Sequence, residues 1–298
     1  AMVSLLNFIF QGDFKMNMKK VLATAMVGAM AFGLFGCGGG DAQKPAEGDQ
    51  PAGGELRIGM ECGYAPFNWT QNDDSNGAVA IEGGGGYANG YDVQIAKKLA
   101  EGLDKELVIV KTEWDGLVPA VQSGTIDGII AGMSPTEERK KSIDFSDNYY
   151  VSDLVIVVRA DGAYADATSL ADFAGAKITG QLNTFHDTVV DQIEGVDHVT
   201  AMPDFPSMRV ALESGIIDGY VSERPEGISA SNANSNFAYV VFEPENGFEY
   251  NVDDGAIAMG IKKDSELTAQ VNEVLATISE EDRQTLMEEA IKTQPTAE

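Results

Sequence analysis

Short apolar runs alternate with stretches of helical periodicity along most of the chain. "LRIGM" (56–60), "LVIVKT" (107–112) and "IDGIIAGM" (126–133) have the length and β-branched content of buried strands. Between them, "YDVQIAKKLAEGL" (91–103) and "DGLVPAVQSG" (115–124) carry their apolar residues at helical spacing. In the first of these helices Val93, Ala96, Leu99, Ala100 and Leu103 share one face, and Asp92 is the expected N-cap. Strand, helix, strand, helix, strand is the order of an α/β sheet. Further strands are expected over 153–160, 176–180, 198–202, 237–243 and 255–263, and two helices over about 265–278 and 280–292. The Gly-rich polar stretch 72–90 reads as a mobile excursion between the first strand and the first helix.

The pattern then repeats. "VQSGTIDGIIAG" (121–132) is echoed by "LESGIIDGYVSE" (212–223), each a helix end, a glycine C-cap, a turn and a strand. The echo pairs Asp127 with Asp218, and it pairs Gly132 with Glu223. Both later positions fall at the C-terminal end of a strand, where open α/β sheets gather ligands. Two lobes of similar build follow, and a chance likeness between two helix-to-strand turns is the competing reading.

The N-terminus departs from this grammar. "MNMKK" (16–20) precedes the apolar run "VLATAMVGAMAFGLFG" (21–36), then Cys37 and the Gly/Pro/acid-rich segment 38–54. A charged start, an apolar core too short to span a bilayer comfortably and small residues before the break describe a signal peptide. Residues 1–15 read as an over-extended start, and 38–54 as a flexible tether. "LFGC" resembles the lipobox of bacterial lipoproteins, which implies a lipid on Cys37 and a membrane anchor. An uncleaved membrane helix is the alternative.

Composition narrows the function classes. The chain has 298 residues, 44% hydrophobic, enough for two ordinary cores. Against 20 Lys and Arg stand 47 Asp and Glu, a net charge of -27, so a nucleic-acid partner is not expected. Removal of the leader leaves Cys62 as the single cysteine and excludes an intramolecular disulfide. The only histidines are His186 and His198, with no metal-ligand spacing and no nucleophile placed beside a base. No catalytic residue, metal or cofactor is therefore expected.

The densest positive charge lies in "AGMSPTEERKKSIDFSDNYY" (131–150). Ser134 followed by Pro135 and Glu137 reads as a capping box with proline at the first helical position. Arg139 lies one turn further on, and helical side chains lean toward the N-terminus. Its guanidinium and the free amides of the first turn suit one small carboxylate. Pairing with a surface acid is the competing reading. Glu223, at the matching strand end of the other lobe, adds a second signal: an arginine for a carboxylate and an acid for an ammonium describe the two ends of an α-amino acid. Glu223 as a solvated charge beside Arg224 is the alternative.

At this point "LRIGMECGYAPF", "GYDVQIAKKLA", "WDGLVPAVQSGTIDGIIAGMSPTEERKKSIDFSDNYY", "GIIDGYVSERP" and "GAIAMGIKKD" occur in order. Over roughly 55–280 the chain resembles the family 3 solute-binding proteins of ABC amino-acid importers. The resemblance implies an α/β, two-lobe periplasmic-binding-protein fold of type II. Each lobe is then a mixed, mostly parallel sheet flanked by helices, and two crossover strands join the lobes. It places 55–152 and 254–298 in one lobe and 153–253 in the other. It further implies that Arg139 grips the ligand carboxylate, with contacts from Ser134, Gly132 and Thr184, while Glu223 receives the ammonium. Tyr64 and Trp114 would sandwich the ligand side chain and Glu61 would meet its polar end. Both aromatics are otherwise ordinary core residues, and Trp69 and Cys62 read as a buried indole and thiol. This set suits a cationic ligand such as lysine, arginine, ornithine or histidine, while Glu61 can also accept from a glutamine amide. Leu182 stands where the family usually has glycine, Gln94 replaces the usual acid of its helix, and the C-terminal helix lacks the customary Gly-aromatic ending.

The implied partners are an amino acid, a membrane permease and, through the lipid, the membrane itself. The chain is expected to act as a monomer outside the cytoplasm. Two rival functions remain open: a cyclohexadienyl dehydratase-like enzyme on the same fold, with Glu223 as its acid, and a ligand-sensing module.

Overall fold

The computed structural model describes residues 53–296. The signal-peptide, Cys37 and most of the tether readings lie outside the described residues. Two five-stranded mixed sheets dominate. In the first the strands run in the order Glu106–Lys111, Glu55–Met60, Gly128–Ile129, Ala256–Ile261, Asp144–Val151. The first three are parallel, and Ala256–Ile261 is antiparallel to both its neighbours. The second sheet has the same plan: Asp197–His198, Lys177–Thr179, Gly219–Glu223, Leu154–Arg159, Phe237–Val241. Again the first three are parallel and the fourth is antiparallel to both neighbours. The chain passes between the sheets after Val151 and again between Val241 and Ala256. Helices flank both sheets, and the two sheets form the two lobes of a mixed α/β molecule.

The sequence echo has a structural counterpart. Asp127 accepts from the backbone N–H of Arg57 at 2.8 Å and returns its own N–H to the Arg57 carbonyl. Asp218 repeats both bonds with Lys177, at 3.0 and 2.8 Å. Each aspartate thus pins the start of the third strand of its sheet to the neighbouring second strand at the same register, and the residues five further on leave their sheets at equivalent ends.

Several local expectations need correction. Residues 72–90 are no featureless excursion: Val79–Ala80 and Tyr87–Asn89 join Gly63–Tyr64 and Asn68–Gln71 in a four-stranded antiparallel sheet. The helix Tyr91–Gly102 is preceded by Gly90 at the N-cap position, and Asp92 lies inside its first turn. There Asp92 is fully buried and accepts from Tyr149 Oη at 2.7 Å and Asn68 Nδ2 at 2.8 Å. The strand expected over 198–202 is only Asp197–His198. Ser134 is not a helix cap either. The helix is Glu137–Lys140, its cap is Thr136, whose hydroxyl accepts from Arg139 N at 3.3 Å, and Pro135 lies outside it. Ser134 instead donates to the Asp254 carbonyl at 2.8 Å, tying this loop to the returning strand of the first sheet.

The apolar faces found in the sequence form the core. Leu56, Ile58, Ile109, Ile129 and Ile257 of the first sheet are fully buried against Val93, Ala96 and Leu99. Ile156, Ile178, Val190 and Val221 do the same for the second sheet.

Candidate functional site

The C-terminal ends of the parallel strands of both sheets turn toward one another. From the first sheet, Glu61 follows the strand Glu55–Met60, Trp114 opens a helix after Glu106–Lys111, and Gly132 to Ser134 follow Gly128–Ile129. From the second, Gln181 to His186 follow Lys177–Thr179, and Glu223 ends its own strand. This is where a doubly wound sheet leaves free loop ends to line a crevice.

One cavity of about 10 Å³ is lined by Tyr64, Trp114, Gly132, Ser134, Arg139 and Thr184, by Gln181, Phe185 and His186, and by Glu223. Seven of the eight residues expected from the sequence are therefore together, and Glu61 stands just outside the lining. Gln181 bridges the gap: its amide donates to Glu61 at 3.1 Å and to the Pro203 carbonyl at 3.1 Å. Gln181, Phe185 and His186 were missed. They belong to the quoted stretch around Thr184, and the buried polar character of Gln181 and His186 is visible only once the fold is known. A larger groove of about 470 Å³, lined in part by Lys140, Asp144, Asp253 and Lys263, contains none of these residues. Its charges already pair with one another, Lys140 with Asp253 at 2.6 Å and Lys263 with Asp144 at 3.0 Å.

Arg139 is held from three sides. Nη1 donates to the Ser134 carbonyl at 2.9 Å, Nη2 donates to the Asn183 carbonyl at 3.1 Å, and the guanidinium lies 5.1 Å from the centre of the Trp114 ring. The contact with Asn183 crosses from the first sheet's side to the second's. Burial lowers the Arg139 pKa to about 10, with Asp254 and Glu223 opposing the shift, so the group stays cationic at neutral pH.

Glu223 is 2% exposed and both its oxygens are engaged. His186 Nε2 lies 2.9 Å from Oε1, and Tyr64, from the opposite lobe, donates its hydroxyl hydrogen to Oε2. Burial pushes the carboxyl pKa up, but the charge and hydrogen bond of His186 and the bond from Tyr64 outweigh it, and the group lies below its ordinary value. The Tyr64 ring stacks on Phe205 with centroids 4.2 Å apart, so one of its faces is covered by protein. Trp69 and Cys62 are buried outside the cavity, as expected of a core indole and thiol.

Two glycines permit this crowding. Gly132 has φ +60, and a Cβ there would lie 2.6 Å from Tyr64 Cε1. A Cβ on Gly180 would lie 2.4 Å from Asp187 N, so glycine lets the helix Phe185–Thr188, with His186, close on the strand end. Beside Leu182 the left-handed conformation falls on the next residue, Asn183, with φ 59.

Glu61 is the second carboxyl at the site. Burial raises its pKa to about 7, against the hydrogen bond from Gln181, and nearby Asp204, Glu113 and Asp115 add to the rise. Such a group changes charge near neutrality.

Comparison with known proteins decides the class. The family model for bacterial extracellular solute-binding proteins, family 3, matches residues 56–291. The chain belongs to this family. Among its relatives, a probable histidine-binding protein of Campylobacter jejuni is 28% identical over 79% of this chain and 87% of its own length. The arginine-binding extracellular protein ArtP of Bacillus subtilis is 25% identical over 87% and 92%. Among solved structures, AbpA of Streptococcus pneumoniae, a substrate-binding protein of an amino-acid ABC transporter bound to L-arginine, superimposes with a TM-score of 0.67. It is 26% identical and covers 80% of this chain and 95% of its own. Family 3 proteins bind solutes and are not enzymes, which removes the dehydratase reading. No helix among the described residues is long and apolar enough to cross a membrane.

Proposed function

We propose that this solute-binding protein captures an L-amino acid between its lobes and delivers it to the permease of an ABC importer. In this reading residues 55–152 and 254–298 form one lobe and 153–253 the other, hinged at the two crossings. The observation that carries it is the meeting of Arg139 and Glu223 in one buried cavity. The guanidinium takes the α-carboxylate, with Ser134, Gly132 and Thr184 completing that end. Glu223 takes the α-ammonium. Opposite charges at the two ends of a water-poor cavity fit a zwitterion and penalise a molecule lacking either group.

The favoured ligands are cationic: arginine, lysine, ornithine or histidine. Glu61 supplies the matching charge, and Trp114 and Tyr64 line the cavity, although Arg139 lies against the Trp114 ring and Phe205 and Phe67 pack on Tyr64, so a ligand side chain reaches either ring only once the lobes part. The named specificities of the histidine- and arginine-binding relatives support the same class. Glutamine is the second reading, and one contact favours it: a side-chain amide, that of Gln181, already donates to Glu61.

A cavity of about 10 Å³ is room for one water rather than an amino acid, so entry requires the lobes to part about the two crossings. Reclosure would bury both ends and present a changed surface to the permease. We further infer a monomer anchored outside the cytoplasm by a lipid on Cys37, which mass spectrometry of the membrane-extracted protein tests.

The function itself is tested by titrating the twenty amino acids calorimetrically. Binding confined to the cationic group, at micromolar affinity or about -8 kcal/mol, is expected. Binding of glutamine alone would select the second reading, and no binding by any amino acid would refute both.

A further inference from the structure

One buried titratable group at the cavity has no role in the reading above. His186 is 5% exposed, lines the cavity, and has Nε2 2.9 Å from Glu223 Oε1. Its Nδ1 is buried with no hydrogen-bond partner among the described residues. An ionised carboxylate only accepts, so the hydrogen of the Glu223 bond belongs to His186 Nε2. Nδ1 is then either a bare lone pair or a second N–H, and that difference is the charge of the ring. With Nδ1 protonated, the imidazolium is the counter-ion of Glu223. With Nδ1 bare, the ring orients the carboxylate and leaves its charge free.

We propose that His186 is a positioning residue for Glu223 whose second proton competes with the ligand's α-ammonium for that carboxylate. The proposal rests on the reading of Glu223 as the ammonium partner. Two cations on one buried carboxylate repel, and like charge disfavours the ionised form of the group that can lose its proton. Arriving ammonium therefore expels the Nδ1 proton to bulk water, and the charge at this end of the cavity is unchanged. Among the described residues Tyr64 and Arg139 face the cavity with His186, the neighbouring rings of Phe185 and Phe205 carry no charge, and Asp187 on the same helix pairs with His198 at 2.8 Å; the buried carboxyls of Asp92 and Glu226 act on Glu223 and Tyr64 from outside the cavity and are the same in both proteins compared below.

The test is calorimetric titration of wild type and His186→Gln with L-arginine and with L-glutamine between pH 8 and pH 5, in two buffers of different ionisation enthalpy. Glutamine keeps an N–H for Glu223 but cannot take a second proton. At pH 8 the two proteins should bind the better probe within about fivefold of each other. On acidification wild type should lose affinity faster, by up to about tenfold per pH unit relative to the variant, and release up to about one more proton per ligand bound. The comparison cancels the proton that Glu61 contributes in both proteins. Parallel pH profiles would overturn the proposal and leave the binding function standing. Failure of wild type to bind either probe at pH 8 would overturn both. Should His186→Gln fail to fold, Glu61→Gln with L-glutamine decides, since it removes the Glu61 proton: proton release on binding supports the competition, and binding without it overturns the competition.

Discussion

Arg139 and Glu223 face one cavity from opposite lobes, each already held by neighbours that fix its direction. Ser134 and Asn183 carbonyls and the Trp114 ring hold the cation, and Tyr64 and His186 hold the anion. A site preorganised in this way spends little of its binding free energy on ordering side chains.

Arg139→Ala should reduce amino-acid affinity by at least about a hundredfold, because the carboxylate would be buried without its charge partner. Arg139→Lys should recover little, since a point charge replaces neither the fork of donors nor the stack on Trp114. Calorimetry reads the affinity, and circular-dichroism melting should show both variants folded with the transition moved by only a few degrees.

Glu61 makes a signed prediction about pH. Its folded pKa of about 7 lies above the ordinary 4.5, so the folded protein holds this proton more tightly than the unfolded chain. Stability from this group is therefore greatest below the ordinary value and is lost as pH rises through the folded one. Glu61→Gln should melt several degrees above wild type at pH 8, and the difference should shrink as pH falls toward 4.5. For a cationic ligand the carboxylate must ionise, so wild-type affinity for L-arginine should fall as pH drops below about 7. Glu61→Gln should weaken L-arginine far more than L-glutamine, and equal losses would count against the cationic preference.

Gly132→Ala joins two costs. The backbone sits at φ +60, and the added methyl would meet the Tyr64 ring at 2.6 Å while that ring is braced by Phe205. A loss of about 1–3 kcal/mol in stability is expected, with affinity reduced as Tyr64 shifts from Glu223. Denaturant unfolding and calorimetry measure the two effects separately.

Much of this was legible beforehand because burial and periodicity are properties of contiguous residues. The runs around Ile58, Ile109 and Ile156 are long enough to show their strands, and the echo linking Gly132 to Glu223 located both halves of the cavity. The small sheet within 63–89 was missed because strands of two to four residues, rich in Gly and Asn, carry no period. Ser134 has the spacing of a capping box, yet its hydroxyl is drawn to Asp254, a residue 120 positions away, and Thr136 takes the cap. Asp92 failed as a cap for the same kind of reason, since Asn68 and Tyr149 reach it from distant segments. His186 gives no local sign of its role because its partner Glu223 comes from another strand.

The central claim concerns the two ends of the ligand, and analogues that lack one end test it most directly. Wild type should be titrated with L-arginine, with agmatine, which lacks the carboxylate, and with 5-guanidinopentanoate, which lacks the amine. The account predicts that each analogue binds at least about a hundredfold more weakly than L-arginine, agmatine because Arg139 is left unpaired and 5-guanidinopentanoate because Glu223 is. Affinity of either analogue equal to that of L-arginine would contradict it.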